Sequence, residues 1–173
     1  MSLQQLINEL VRDVPDYPKP GVMFKDITPL LADHDGFRAV VAAIADHAHG
    51  RIDKVVGLEA RGFIFATPVA LALGAGFVPV RKSGKLPSET FAATYDLEYG
   101  TATIEVHRDA FAPGERVLIV DDVLATGGTA EAAVSLVRRA GAEVAGLSVL
   151  MELSFLNGRD RLKDLPIESL VTV

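Results

Sequence analysis

The run Val117-Leu-Ile-Val-Asp121-Asp122-Val-Leu-Ala125-Thr126-Gly127-Gly128-Thr129 limits the possible folds more than any other stretch of this chain. Four consecutive aliphatic residues predict a strand covered on both faces, as in parallel sheets. Asp121 and Asp122 then fall at its carboxyl end, where open α/β sheets hold ligands. Gly127 and Gly128 allow close backbone approach, Thr126 and Thr129 offer hydroxyls, and a helix begins at Thr129 whose free N–H groups and dipole favour a phosphate. Carboxylates accept hydrogen bonds from sugar hydroxyls. The run therefore describes a site for ribose at one end and its 5-phosphate at the other. The alternative is structural: paired Asp residues also cap turns, and glycine turns commonly follow hydrophobic strands. A Walker loop is excluded because no Lys-Ser or Lys-Thr follows the glycines, and the spacing of a dinucleotide fingerprint is absent.

A chain of 173 residues is long enough for one domain with a substantial core, and no internal boundary is visible. Seventeen basic against 23 acidic side chains leave a net charge of −6, which argues against non-specific nucleic-acid binding or attachment to an anionic membrane. A polyanionic substrate must then meet local positive charge. With no cysteine there is neither a disulfide framework nor a thiolate metal site. Asn8, Glu9, Arg12 and Asp13 interrupt any signal-like apolar core, and no apolar run is long enough to span a bilayer. A cytoplasmic location is expected.

Ser2 and Gln5 form a capping box ahead of Leu3, Leu6, Ile7, Leu10 and Val11 at helical spacing. Pro15, Pro18, Pro20 and Gly21 break regular structure, and Val22 to Pro29 reads as irregular, too rich in breakers for an interior strand. From Asp35, the stripe Phe37, Val40, Val41 and Ile44 predicts a helix ending near Gly50. His34, His47 and His49 around it lack convincing metal spacing with acidic partners. Val55–Leu58 predicts a buried strand, 63–73 an apolar helix closed by Gly74, and Phe77–Val80 the next strand. Strand, helix and strand recur from Val117 to Leu150, with the helix ending at Gly141. This alternation predicts an α/β fold with a mostly parallel sheet flanked by helices and right-handed crossovers. Between the halves, Arg81 to Gly100 begins with basic residues and runs into the alternation 101–106, a hairpin turning at Tyr99-Gly100. Long excursions of this kind are usually functional and often serve as lids.

The ribose-phosphate run resembles the phosphoribosyl pyrophosphate motif of the type I phosphoribosyltransferases. Four further blocks extend the likeness over nearly the whole chain, to the adenine phosphoribosyltransferase branch. These are Pro20-Gly-Val-Met-Phe-Lys-Asp-Ile-Thr-Pro29, Gly57-Leu-Glu-Ala-Arg-Gly-Phe63, the Gly-Lys-Leu-Pro and Tyr-Asp-Leu-Glu-Tyr-Gly elements between Arg81 and Gly100, and Glu152-Leu153. The resemblance implies a single domain over 1–173, with a small N-terminal hood over about residues 1–34 and a flexible hairpin lid over about 81–106. It implies transfer of a phosphoribosyl group from phosphoribosyl pyrophosphate to adenine, yielding AMP and pyrophosphate.

On the same resemblance, Asp121 and Asp122 hold the ribose 2- and 3-hydroxyls, and Ala125, Thr126, Gly127, Gly128 and Thr129 cradle the 5-phosphate. Glu59-Ala60-Arg61-Gly62 receives the leaving pyrophosphate, with Arg61 the principal cation and the Glu59–Ala60 peptide expected to be cis or strained. Arg81, Lys82 and Lys85 add charge, and in relatives some of these side chains reach the neighbouring subunit, so a homodimer is expected. Mg²⁺ is implied as the partner of the diphosphate, bound mainly through substrate oxygens, and no protein ligand is assigned to it. Glu98 is the loop carboxylate placed near the base for proton transfer, and Tyr99 packs over the ribosyl phosphate when the lid closes. Phe24 stacks on the purine, Met23 and Lys25 contribute main-chain contacts, and Leu153 closes the other face. Adenine presents a donor at N6 beside an acceptor at N1, so one backbone C=O and one N–H suffice to read that edge. Many relatives carry Arg where Lys25 stands and Pro where Ser83 stands. Two other readings stay open: a 6-oxopurine transferase with the same ribose chemistry, and a purine-sensing regulator, which would require an added nucleic-acid-binding element.

Overall fold

The computed structural model describes residues 1–97 and 99–173. Its elements, in chain order, begin with α1 (Leu3–Leu10), β1 (Arg12–Pro15), β2 (Met23–Asp26), α2 (Thr28–Ala32) and α3 (His34–Asp46). The middle contains β3 (Lys54–Leu58), α4 (Arg61–Leu73), β4 (Gly76–Lys82), β5 (Thr90–Asp96) and β6 (Thr101–His107). The last third contains β7 (Arg116–Leu124), α5 (Gly128–Arg139), β8 (Glu143–Glu152), two 3₁₀ turns (Ser154–Leu156 and Gly158–Arg161) and β9 (Ile167–Thr172). No helix among the described residues is long and apolar enough to cross a membrane.

The main sheet has the order β5-β6-β4-β3-β7-β8-β9. β4, β3, β7, β8 and β9 pair in parallel, and the β5–β6 hairpin joins the β4 edge antiparallel. The mostly parallel α/β architecture expected from the chain is thus present. Along β7, Val117 and Ile119 enter one core layer, while Leu118 and Val120 enter the other. That alternation is why the strand is apolar on both faces. α5 packs in the first layer; α1, α3 and α4 supply the second.

Consecutive helices on opposite faces make a topological switch between β3 and β7. α4 connects β3 to β4 on one side, and α5 connects β7 to β8 on the other. The crevice outside the carboxyl ends of β3 and β7 is therefore where a ligand enters such a sheet. Glu59–Gly62 and Asp121–Thr129 are the segments that leave those ends.

Several local expectations need correction. Residues 23–26, expected to be irregular, form β2, which pairs antiparallel with β1 in a separate two-stranded sheet. The proline-rich turn before it closes a ribbon instead of abolishing structure, with Tyr17–Pro18 cis. The hairpin expected to turn at Tyr99-Gly100 is present as β5–β6, and it is continuous with the main sheet, because Arg81 and Lys82 at the end of β4 pair with Glu105 and Ile104 of β6. Arg139 of α5 donates to the Ala92 carbonyl and lies over the Phe91 ring, so the hairpin is also bound to the helix layer. β7 runs through both acids to Leu124, and α5 begins one residue earlier than expected, at Gly128. α2, the 3₁₀ turns and β9 carried no clear sequence signal.

Candidate active site

Five chain segments converge on one cleft of about 450 Å³. From β2 come Met23, Phe24 and Lys25; from the β3–α4 junction, Glu59, Ala60 and Arg61. From β7 and its loop come Asp121, Asp122, Ala125 and Thr129, and Leu153 follows β8. Tyr95, on the hairpin, also lines it. A smaller adjoining hollow of about 70 Å³ is formed by Asp121, Ala125, Thr126, Gly127 and Thr129 at the start of α5.

The two acids differ in environment. Asp122 is buried, and its Oδ2 receives no aligned hydrogen bond; compensation comes from Arg61, whose Nε lies 2.8 Å away. Asp121 accepts the Asp122 backbone N–H at 2.8 Å. Burial, and then the charge of Asp122, push the Asp121 carboxyl well above its usual range. A close pair of carboxyl groups beside the Arg61 guanidinium offers acceptors to hydroxyl donors and favours a cation developing next to it.

Arg61 also lies over Phe24, with its guanidinium carbon 5.6 Å from the ring centroid, and Phe24 meets Tyr17 edge-on at 5.0 Å. The Phe24 ring is thereby fixed from two sides at the mouth of the cleft. Lys25 directs its ammonium to Asp13, 2.6 Å away. Among the described residues β2 pairs only with β1, so the ladder leaves one edge of its main chain unpaired, as edge strands do.

Glu59 and Ala60 are joined by a cis peptide. The Glu59 side chain, 8% exposed, accepts from Arg81 Nε at 2.9 Å and Lys85 Nζ at 2.8 Å. The Lys85 hydrogen bond, followed by the Arg81 bond against the opposing cost of burial, keeps the Glu59 carboxyl below the ordinary range. Both cations are therefore drawn toward the β3 end within one subunit. Lys82 instead lines a neighbouring hollow with Tyr95 and Thr103.

Around the glycine turn the packing is close. Gly127 caps α5 at φ +88°, and a Cβ there would stand 2.6 Å from the Gly158 carbonyl oxygen. Gly128 is buried as the first residue of α5. Tyr99 is 81% exposed and lies outside the cleft, with the Lys19 ammonium 5.6 Å from its ring. Glu98, the proton-transfer candidate, lies outside the described residues.

Sequence reasoning missed Tyr95 and Gly158. Tyr95 carried a legible signal, since strand alternation in β5 turns it inward with Phe91 and Ala93. Gly158 did not, because its partner is a backbone more than thirty residues away in sequence.

The phosphoribosyl transferase domain family matches residues 27–167. An adenine phosphoribosyltransferase of Thermobifida fusca is 65% identical over 173 residues, covering 99% of this chain and 98% of its own. The structure of an adenine phosphoribosyltransferase from Thermoanaerobacter pseudethanolicus superposes with a TM-score of 0.95 at 48% identity, covering 99% of this chain and 100% of its own. One from Saccharomyces cerevisiae, complexed with an imino-altritol bisphosphate and adenine, gives 0.94 at 42%, covering 97% and 98%. With a switch-point cleft of this composition and likeness along almost its entire length, the chain belongs to the adenine phosphoribosyltransferase family.

Proposed function

We propose that this chain transfers the 5-phosphoribosyl group from phosphoribosyl pyrophosphate to N9 of adenine, giving AMP and pyrophosphate. The observation that carries this reading is a single cleft joining an aromatic base platform to paired acids and a helix-start hollow. Adenine rests against Phe24, with Leu153 across from it. The free edge of β2, at Met23 and Lys25, supplies the backbone donor and acceptor that read its N1–N6 edge. The yeast relative, crystallised with adenine and a bisphosphate sugar analogue, supports the same pairing of ligands.

Asp121 and Asp122 receive the ribose 2- and 3-hydroxyls. As the C1–oxygen bond to pyrophosphate breaks, positive charge grows on the ring and the two acids stabilise it. Ala125, Thr126, Gly127, Gly128 and Thr129 hold the 5-phosphate at the α5 N-terminus, where N–H groups and dipole favour an anion. Pyrophosphate leaves toward Glu59-Ala60-Arg61, Arg61 exchanging Asp122 for the departing anion. Arg81, Lys82 and Lys85 supply further positive charge there. Glu98 takes the N9 proton, and Tyr99 closes over the ribosyl phosphate with the 81–106 lid. The first 34 residues serve as the hood over the base within one domain spanning 1–173.

Mg²⁺ would be held chiefly through the oxygens of the diphosphate. The described residues hold no group of three or more His, Cys, Asp or Glu placed to bind a metal. The hard oxygens of Asp121 and Asp122 fit an ion coordinated chiefly by substrate and water, which would neutralise diphosphate charge. The active form is a cytoplasmic homodimer without nucleic-acid or membrane partners.

Adenine-dependent pyrophosphate release, compared with hypoxanthine and xanthine, tests the assignment. Adenine is expected to be preferred by at least about a hundredfold in kcat/KM. Equal turnover of a 6-oxopurine refutes the backbone readout of N6 and N1.

A further inference from the structure

The glycine turn that lines the hollow at the start of α5 is backed by a second turn that does not itself line it. Gly158 opens the second 3₁₀ turn, and its backbone lies against the glycine turn at two points. A Cβ on Gly127 would stand 2.6 Å from the Gly158 carbonyl oxygen, and one on Gly158 would strike the Ala125 carbonyl oxygen. Main chain rests on main chain, without intervening side chains to absorb a shift.

The next residue, Arg159, fixes that turn. Its Nε and Nη2 donate to Glu152 Oε1 and Oε2 at 2.7 and 2.8 Å, a bidentate fork. Glu152 is only 6% exposed, and its Oε2 also accepts from Ser169 Oγ at 3.1 Å. Arg159 Nη1 donates to the Ile167 carbonyl at 3.3 Å. A second tether runs from Arg161 to Glu131 in the first turn of α5, 3.0 Å apart. Glu152 itself is in register with Leu124 at the end of β7, where the cradle begins.

An ion pair with one buried member, here Glu152 against a half-exposed Arg159, is weak evidence for net stability, because desolvation of the carboxylate offsets part of the attraction. Its bidentate geometry does restrict position. We propose that Arg159, forked onto buried Glu152, is a positioning residue that sets the shape of the phosphate cradle by holding Gly158 against Gly127 and Ala125. This inference rests on the reading of Ala125–Thr129 as the 5-phosphate site. The Arg159 hydrogen bonds, against the cost of burial, hold the Glu152 carboxyl below the ordinary range, so the fork stays ionised at neutral pH.

Steady-state kinetics of R159K test the inference, with T129V as a direct probe of the cradle. Lys keeps the charge and loses the fork. R159K is expected to raise the KM for phosphoribosyl pyrophosphate about tenfold, with kcat and the adenine KM within about twofold of the parent. Hydrogen exchange at the Gly127–Thr129 amides should quicken in parallel. A general loss of structure would not separate the two KM values. If T129V raises the phosphoribosyl pyrophosphate KM and R159K does not, or R159K moves both KM values alike, the positioning role is overturned. If T129V leaves that KM unchanged, the cradle reading beneath it is overturned instead. Should R159K fail to fold, S169A, which removes one bond to Glu152, is expected to give the same split at about twofold amplitude, and no split in S169A overturns the role.

Discussion

Replacing Gly127 with Ala tests the geometry of the glycine turn on two separable grounds. Gly127 sits at φ +88°, and placing an L-residue in the left-handed region costs about 1–2 kcal/mol. The added Cβ would also stand 2.6 Å from the Gly158 carbonyl oxygen and 3.2 Å from its Cα and carbonyl carbon. Those are backbone atoms, so no rotamer change relieves the contact, and overpacking of this kind costs about 1–3 kcal/mol more. The summed loss of about 2–5 kcal/mol corresponds to a Tm lowered by roughly 5–20 °C for a domain of this size. Gly114 provides the control. It lies at φ +75° with nothing within 4 Å of where an added Cβ would stand, so G114A should lose the conformational part alone, about 1–2 kcal/mol. Thermal unfolding followed by circular dichroism measures both, and pyrophosphate release gives the accompanying KM. G127A should be the less stable of the two and should bind phosphoribosyl pyrophosphate more weakly. A G127A protein as stable as G114A, with an unchanged KM, would refute the close-contact argument.

Other expectations follow from the charges and from the base platform. Asp121→Asn should abolish most turnover yet stabilise the free protein at neutral pH. The folded-state pKa is raised above the unfolded value, so above about pH 4, where the unfolded chain loses this proton freely, Asp121 costs the fold stability, and the Tm gain should vanish as pH falls toward about 4; a Tm loss at pH 7 contradicts this. Glu59 behaves oppositely. Its folded pKa is lowered, so its contribution is present above the unfolded value near 4.5 and is lost as pH falls through the folded one. Glu59→Gln should therefore flatten the acid limb of the stability–pH curve, and an unaltered limb would count against the Arg81–Lys85 network. Phe24→Ala should raise the adenine KM by about tenfold or more while sparing phosphoribosyl pyrophosphate binding; equilibrium titration with each substrate separates the two effects.

Much of this site could be read locally because its chemistry is written in contiguous residues. Four aliphatics, two acids and a glycine turn specify strand, carboxylates and helix start through interactions that span a few positions. The capping box of α1 is equally local, and both of its hydrogen bonds are present. Resemblance, rather than periodicity, pointed to Phe24, Arg61 and Leu153 as companions of that run. Their convergence required the sheet order, since β2, β3, β7 and the residue after β8 meet only once β3 and β7 are neighbours.

The strand at Met23–Asp26 escaped the sequence reading because pairing with β1 outweighs the nearby prolines, a balance no local pattern contains. The β5–β6 hairpin was itself legible from its alternation, whereas its attachment to the main sheet through the last residues of β4 is a long-range pairing that no local pattern contains. Sequence alone determined the elements whose hydrogen bonds and apolar faces are set by near neighbours. Tertiary structure decided the rest: which cation each acid received, Arg61 for Asp122 and Arg81 with Lys85 for Glu59, and which backbone supports the glycine turn. Coulombic pairing and backbone contact depend on distance in space, and chain order does not encode that distance until the sheet is assembled.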